Sequence, residues 1–156
     1  HDALPIFRPS WELGFDDPEN PSSLEKIIRA VGGEPVAYAG RTKCCGFPII
    51  LEKEAIAVAM AGTNMKDARD HGADFMVTPC PLCHMSLDIY QERAGRAVKT
   101  DLNLPILHLP QLLGLAMGIP AQDLGLSRHL ISVDRIVTRL QQPDTPHSSL
   151  PAEPRT

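Results

Sequence analysis

Every cysteine of the chain falls in one of two clusters, Cys44-Cys45-Gly46 and Cys80-Pro81-Leu82-Cys83, with 34 residues between Cys45 and Cys80. Thiolate suits both zinc and iron–sulfur centres, so paired thiols at this spacing read as a ligand set. Adjacent cysteines are an awkward chelate for one tetrahedral ion, because successive side chains of extended backbone point in opposite directions. Gly46 permits a sharp bend that brings both sulfurs to one side. A polynuclear iron–sulfur centre, with neighbouring iron atoms, accepts such a pair more readily than zinc does. Three other readings stay open on the residues alone. One is a structural zinc site with four thiolates. Another is a thioredoxin-like dithiol at Cys80 and Cys83, which leaves Cys44 and Cys45 unexplained. The last is buried, chemically idle cysteines, which would scatter rather than cluster.

The residues around the clusters add to the first reading. Arg41 and Lys43 place positive charge beside the first pair. Cys80 and Cys83 open a predicted helix, where unpaired N–H groups and the helix dipole favour thiolate, and Pro81 suits its first turn. His84 follows in that turn and is a candidate proton donor to a leaving thiolate, since histidine titrates near neutrality. The alternative is a surface or hydrogen-bonding histidine beside the site. His108 either faces the same crevice or is a buried, hydrogen-bonded histidine. Met60, Met65, Met76 and Met85 read as core filling.

Several elements must position these side chains. A helix is predicted from Ser22 or Ser23 through Val31, N-capped by serine, with Leu24, Ile27, Ile28 and Val31 as its apolar stripe; Gly32-Gly33 ends it. Pro35 to Tyr38 is a predicted strand, and Ala39 to Phe47 the loop carrying the first cysteines. A long helix covers Glu52 to Asp70, with Ile56, Ala59 and Met60 as its apolar side. Phe75 to Thr78 reads as a strand buried on both faces, followed by a helix from Leu82 to Arg93. Ile106 to Leu109 is another strand, Pro110 to Met117 another helix, and Ala121 to Leu140 gives short helical pieces. This alternation predicts an α/β fold with a small, mostly parallel sheet flanked by helices. Both cysteine clusters then sit at carboxyl ends of strands, where ligands collect in such sheets.

Composition narrows the class. The 156 residues, 43% of them apolar, suffice for the core of one domain. A net charge of −4 and 4% aromatic residues argue against nucleic acid as a partner. Leu102 to Ile119 is the most apolar stretch, but Asn103, Pro105, His108, Pro110 and Gln111 interrupt it, so no membrane-spanning segment is expected. Localisation is expected to be cytoplasmic, or peripheral to a membrane complex. Residues 1–7, beginning His1-Asp2, are expected to be non-native and adapter-derived. The domain is expected over 8–140, with 141–156 a disordered tail rich in proline.

With these residues placed, the chain resembles the cysteine-rich CCG domain of heterodisulfide reductases, in their B-type subunit. Arg8-Pro9, FDDPENPSSLE (Phe15 to Glu25), TKCCGFP (Thr42 to Pro48), GADFMVTPCPLCHMSLDIYQ (Gly72 to Gln91) and QLLGLAMGI (Gln111 to Ile119) carry the resemblance. It extends from Arg8 to Val133 and implies a Rossmann-like domain in which Cys44, Cys45, Cys80 and Cys83 hold a noncubane [4Fe–4S] cluster. A fifth cysteine is implied shortly before Arg8, where this sequence has Ala3 to Phe7, and a first CCG domain upstream. The chain is thus expected to be an N-terminally truncated fragment, inactive alone. The implied activity is reductive cleavage of a small-molecule disulfide, with electrons from a ferredoxin-like iron–sulfur subunit of the same complex. The same domain recurs in iron–sulfur subunits of quinone-linked dehydrogenases for lactate, glycolate, glycerol 3-phosphate or succinate. That role is one alternative; a zinc-stabilised interaction domain is the other.

Overall fold

Two short strands set the plan of the molecule. In the computed structural model, which describes Gly14, Asp16, Asp17 and residues 20–141, β1 (Met76–Thr78) and β2 (Ile106–His108) run parallel. Met76 pairs with Ile106, Val77 with Leu107 and Thr78 with His108. Side chains alternate across a strand, so each pair serves a different face. Met76 and Ile106 enter one core, with Ala57, Ala61, Met65, Leu87, Ala94 and Leu104. Val77 and Leu107 enter the other, with Leu112, Leu115, Leu126, Val133 and Ile136. Helices α2 (Glu54–Asp70), α3 (Pro81–Ile89) and α4 (Gln91–Ala97) supply the first core. α1 (Ser23–Ala30), α5 (Leu109–Ala116) and α6 (Asp134–Gln141) supply the second, and short 3₁₀ turns lie at Phe47–Ile49 and Leu126–Arg128. The result is an α/β fold whose two-stranded parallel sheet is covered on both faces.

Several sequence expectations need correction. Pro35 to Tyr38 forms no strand; Pro35 has no N–H for a ladder, and the segment is instead drawn to α2, where Gly40 N–H donates to Asp67 Oδ2 at 2.9 Å. Tyr38 packs against the first core. On α2 the buried face is Ala57, Ala61, Met65 and Ala68, while Ile56 is 54% exposed. Close packing explains this choice of small residues: a Cβ on Gly62 would stand 2.7 Å from the Ala94 carbonyl oxygen of α4. Met65 is core filling as expected, whereas Met85 is exposed. The serine cap of α1 is replaced by Asp16, whose carboxylate accepts the N–H groups of Ser22 and Ser23 at 2.9 and 2.7 Å. The Ser23 hydroxyl and N–H, with those of Ser22, hold that carboxyl well below the usual range. Of the expected outer segments, 1–7 and 142–156 lie outside the described residues, and Gln141 ends α6.

The helix expected from Leu82 to Arg93 is broken at Tyr90, and the break has a use. Gln91 is 2% exposed; its Nε2 donates to the carbonyls of Leu87 at 3.2 Å and Leu104 at 2.8 Å, and its Oε1 accepts Leu104 N–H at 2.7 Å. One amide thus takes the Leu87 carbonyl that a continuous helix would use and fixes the approach to β2. Gln91→Leu leaves the Leu104 N–H and carbonyl buried and unpaired, so we expect a loss of about 2–4 kcal/mol, read as a lower urea midpoint with an unchanged slope.

Candidate metal centre

The loop bearing Cys44 and Cys45 is fastened at three points. Besides the Gly40–Asp67 bond, Asn64 Nδ2 on α2 donates to the Cys44 carbonyl at 3.0 Å, and Ser86 Oγ on α3 donates to the Cys45 carbonyl at 3.3 Å. Asn64 and Ser86 are themselves buried, at 6% and 1% exposure, so both anchors are shielded from water. Gly46 turns the chain with φ +87°, a left-handed conformation suited to glycine. Its backbone lies against α2: an added Cβ would sit 2.6 Å from the Ala57 carbonyl oxygen and 2.7 Å from its Cα.

The second cluster sits where β1 gives way to α3. Cys80 is the extended residue at the N-cap, its N–H bonded to Thr78 Oγ1 at 3.2 Å, and Pro81 occupies the first helical turn. The Cys83 backbone N–H, then the Cys83 thiol and the Leu82 N–H, hold the Cys80 pKa below its ordinary value against the opposing effect of partial burial. This is the helix-start effect expected from the sequence. Cys83 behaves oppositely. Burial, together with the neighbouring thiols of Cys45 and Cys80, pushes it up to about 12.

Three of the four expected ligands therefore interact. Cys45 is buried, and Cys83 packs at the edge of the same core beside Cys45 and Cys80. Cys44 stands apart: it is exposed, with its Sγ accepting Gly46 N–H at 3.4 Å. It lines a groove of about 470 Å³ with Lys43, Ile56, Ala59, Met60 and Asn64. The two side chains thus part, one exposed and one buried, and the Gly46 bend does not bring both sulfurs to one side as the sequence suggested. Among the described residues, no three Cys, His, Asp or Glu side chains stand in a closed metal-binding arrangement. The donor chemistry nevertheless fits a metal centre. Crowded thiols cannot all ionise beside one another unless a cation is present, and a metal centre supplies that charge.

His84 lies on α3 immediately after Cys83, with its Nε2 buried and unpaired. Its ring packs edge to face on His129 at 4.7 Å and on His108 at 6.1 Å. His108 thus does approach the His84 side of the site, while also N-capping α5. Sequence reasoning missed His129, Gln111 and Asp88. Asp88 is 4% exposed and accepts the N–H groups of Leu130 and Ile131 at 2.9 and 3.2 Å, tying the segment after His129 to α3. Nothing local marks His129. Gln111, three residues after His108, carried the spacing of a capping box, and Asp88 the i+4 spacing from His84 on one helix face.

Burial lowers the His129 pKa from its ordinary 6.5, and His84 lowers it further, against the pull of Asp88 and the Ile106 carbonyl. Well above pH 6.5 the ring is neutral both folded and unfolded. As pH falls below that value, the unfolded chain takes up the proton first, and stability drops until the pH passes the lowered folded value. Denaturation midpoints are expected to fall from about pH 7.5 to about pH 5.5, and His129→Asn is expected to flatten this part of the profile. A wild-type profile already flat there contradicts the assignment.

Comparison with known proteins places these features in a family context. Residues 8–88 match the family described as CCG, cysteine-rich domain. The chain is 43% identical over 129 residues to the 8-methylmenaquinol:fumarate reductase membrane anchor subunit of Wolinella succinogenes, covering 83% of this chain and 45% of that protein. It is 30% identical to the B-type subunit of the ferredoxin/F(420)H(2)-dependent CoB-CoM heterodisulfide reductase of Methanosarcina acetivorans, with 84% and 44% covered. A heterodisulfide reductase B-like protein of Archaeoglobus profundus is 36% identical, with 70% and 38% covered. The chain thus spans less than half the length of these curated relatives. No helix among the described residues is long and apolar enough to cross a membrane.

Proposed function

The chain belongs to the CCG cysteine-rich domain family, and from that premise we propose that Cys44, Cys45, Cys80 and Cys83 hold a noncubane [4Fe–4S] cluster. The observation that carries this reading is the approach of Cys45, Cys80 and Cys83, whose crowding burdens the Cys83 thiol until a cation is present. A bound cluster supplies one-electron exchange and soft iron sites for sulfur. The chain's own residues do the rest. Asn64, Ser86 and Asp67 pin the first cysteine loop, and the start of α3 stabilises the Cys80 thiolate. The first core shields Cys45 from water. His84, adjacent to Cys83, is proposed to donate a proton to a leaving thiolate.

The proposed activity of the parent protein is reductive cleavage of a small-molecule disulfide, in the manner named for the heterodisulfide reductase relatives. Its electrons come from a ferredoxin-like iron–sulfur subunit of the same complex, and it works in the cytoplasm or at the periphery of a membrane complex. A second reading is favoured by the Wolinella succinogenes relative at 43% identity, named for a methylmenaquinol:fumarate reductase. On that reading the domain passes electrons on the quinone side of a succinate- or fumarate-type enzyme. A parent polypeptide of the relatives' length, reconstituted anaerobically, is to be assayed for iron, zinc and labile sulfide. Iron with sulfide is expected; zinc without sulfide sinks the cluster reading. Reoxidation of the reduced cluster by disulfides, rather than by quinone analogues, separates the two roles.

A further inference from the structure

Three ring nitrogens are buried with no hydrogen-bond partner: Nε2 of His84, Nε2 of His108 and Nδ1 of His129. Buried polar atoms are nearly always paired, so three such atoms in one cluster ask for an explanation beyond packing. The rings come from α3, the end of β2 and the turn after Leu126–Arg128, and His84 touches both others.

Gln111 decides where the protons sit. Its Oε1 lies 2.9 Å from the His108 backbone nitrogen, an obligatory donor, so that end of the amide is the oxygen. The same oxygen lies 3.1 Å from His129 Nε2. That nitrogen must donate, which leaves Nδ1 of a neutral His129 bare. The other end of the amide donates to the Leu124 carbonyl at 3.2 Å, consistent with this orientation. Gln111 also donates its backbone N–H to the His108 ring, the reciprocal half of a capping box. Because His108 Nε2 is unpartnered, the accepting atom is Nδ1, and neutral His108 carries its proton on Nε2. A protonated Nε2 is no metal ligand, so the cluster is not a three-histidine metal site. Instead, His84 is flanked by one ring N–H donor and one bare ring acceptor.

Resting on the reading of Cys83 as a cluster ligand and His84 as a proton donor, we propose that Gln111 is a positioning residue of the cysteine site, fixing His108 and His129 as Nε2–H tautomers on either side of His84. A neutral His108 then turns an N–H, and a neutral His129 a bare nitrogen, into the cluster around the His84 ring, whose packing at 6.1 and 4.7 Å holds that ring beside Cys83. Asp88 keeps His129 in place by holding the two residues that follow it.

Long-range ¹⁵N–¹H correlation spectra of the histidine-labelled 156-residue chain, at mildly alkaline pH, report ring tautomers directly. Both His108 and His129 are expected to show the Nε2–H pattern. Gln111→Leu is expected to release them to mixed tautomers. Gln111→Glu, whose carboxylate still accepts from both, is expected to keep the pattern, which matters if the leucine variant fails to fold. In the iron-loaded parent, Gln111→Leu is expected to lower disulfide-dependent turnover about tenfold or more, with iron and sulfide unchanged, and Gln111→Glu to restore most of it. A wild-type His129 protonated at Nδ1 overturns the proposal, as does a leucine variant with unaltered tautomers or with altered tautomers and full turnover. A parent lacking iron and sulfide overturns the cluster reading, and with it the positioning role; the spectra then still decide the tautomer assignment.

Discussion

Gly46→Ala is expected to destabilise the fold by about 2–4 kcal/mol, combining left-handed backbone strain with overpacking. The strain follows from φ +87°, and the overpacking from a methyl group 2.6 Å from the Ala57 carbonyl oxygen and 2.7 Å from its Cα. Neither contact involves a flexible side-chain end that can move aside, so either the loop or α2 must shift. A shifted loop would also weaken the bonds of Asn64 to Cys44 and Ser86 to Cys45. The variant should therefore show a lower urea midpoint and, after anaerobic reconstitution of the parent chain, reduced iron. Gly72→Ala is a useful comparison. It has similarly positive φ, +85°, but nothing within 4 Å of an added Cβ, so only the backbone strain, about 1–2 kcal/mol, is expected. Equal losses in the two variants would show that the close approach to Ala57 does not matter.

Cys83→Ser should have the largest effect on function. Cys83 is the thiol in contact with both other clustered cysteines, and serine cannot supply a soft ligand. Iron and labile sulfide in the reconstituted parent are expected to fall about tenfold or more. Stability should change little, because the substitution is nearly isosteric and Cys83 lies at the edge of the core rather than inside it. Cys44→Ser is expected to lower iron as well, and this is the sharper test, because Cys44 is the one expected ligand whose side chain points away. Full iron in Cys44→Ser would remove it from the ligand set. Full iron in Cys83→Ser would remove the cluster from this face. Met117→Ser, at a 78% exposed position just after α5, should change neither quantity.

Much of this was legible in the residues themselves. The α/β alternation, the ends of α1 and α2 and the strand before Cys80 follow from hydrophobic period, proline and glycine, all local signals. The two cysteine clusters and the Pro81 helix start were equally plain, since ligand type and spacing are properties of the chain. The errors share a cause. Pro35 to Tyr38 has strand composition, yet a strand needs a partner, and Asp67 captures the following turn instead. Ile56, Ala59 and Met60 make the more apolar stripe of α2, yet the approach of α4 selects Ala57, Ala61 and Gly62. The break at Tyr90 depends on Gln91 reaching Leu104, thirteen residues on.

Sequence alone marked which atoms could bind a metal, but its expectation that both cysteine clusters follow strands held only for Cys80 and Cys83, since Pro35 to Tyr38 forms no strand. Only the tertiary structure decided how they meet. It buries Cys45 beside Cys83 and leaves Cys44 exposed in a groove along α2. It also sets Gln111 between His108 and His129, a pairing across eighteen residues that no local pattern encodes. The physical reason is that ligand identity resides in single side chains, whereas burial, charge crowding and tautomer choice depend on neighbours brought together by packing from distant parts of the chain.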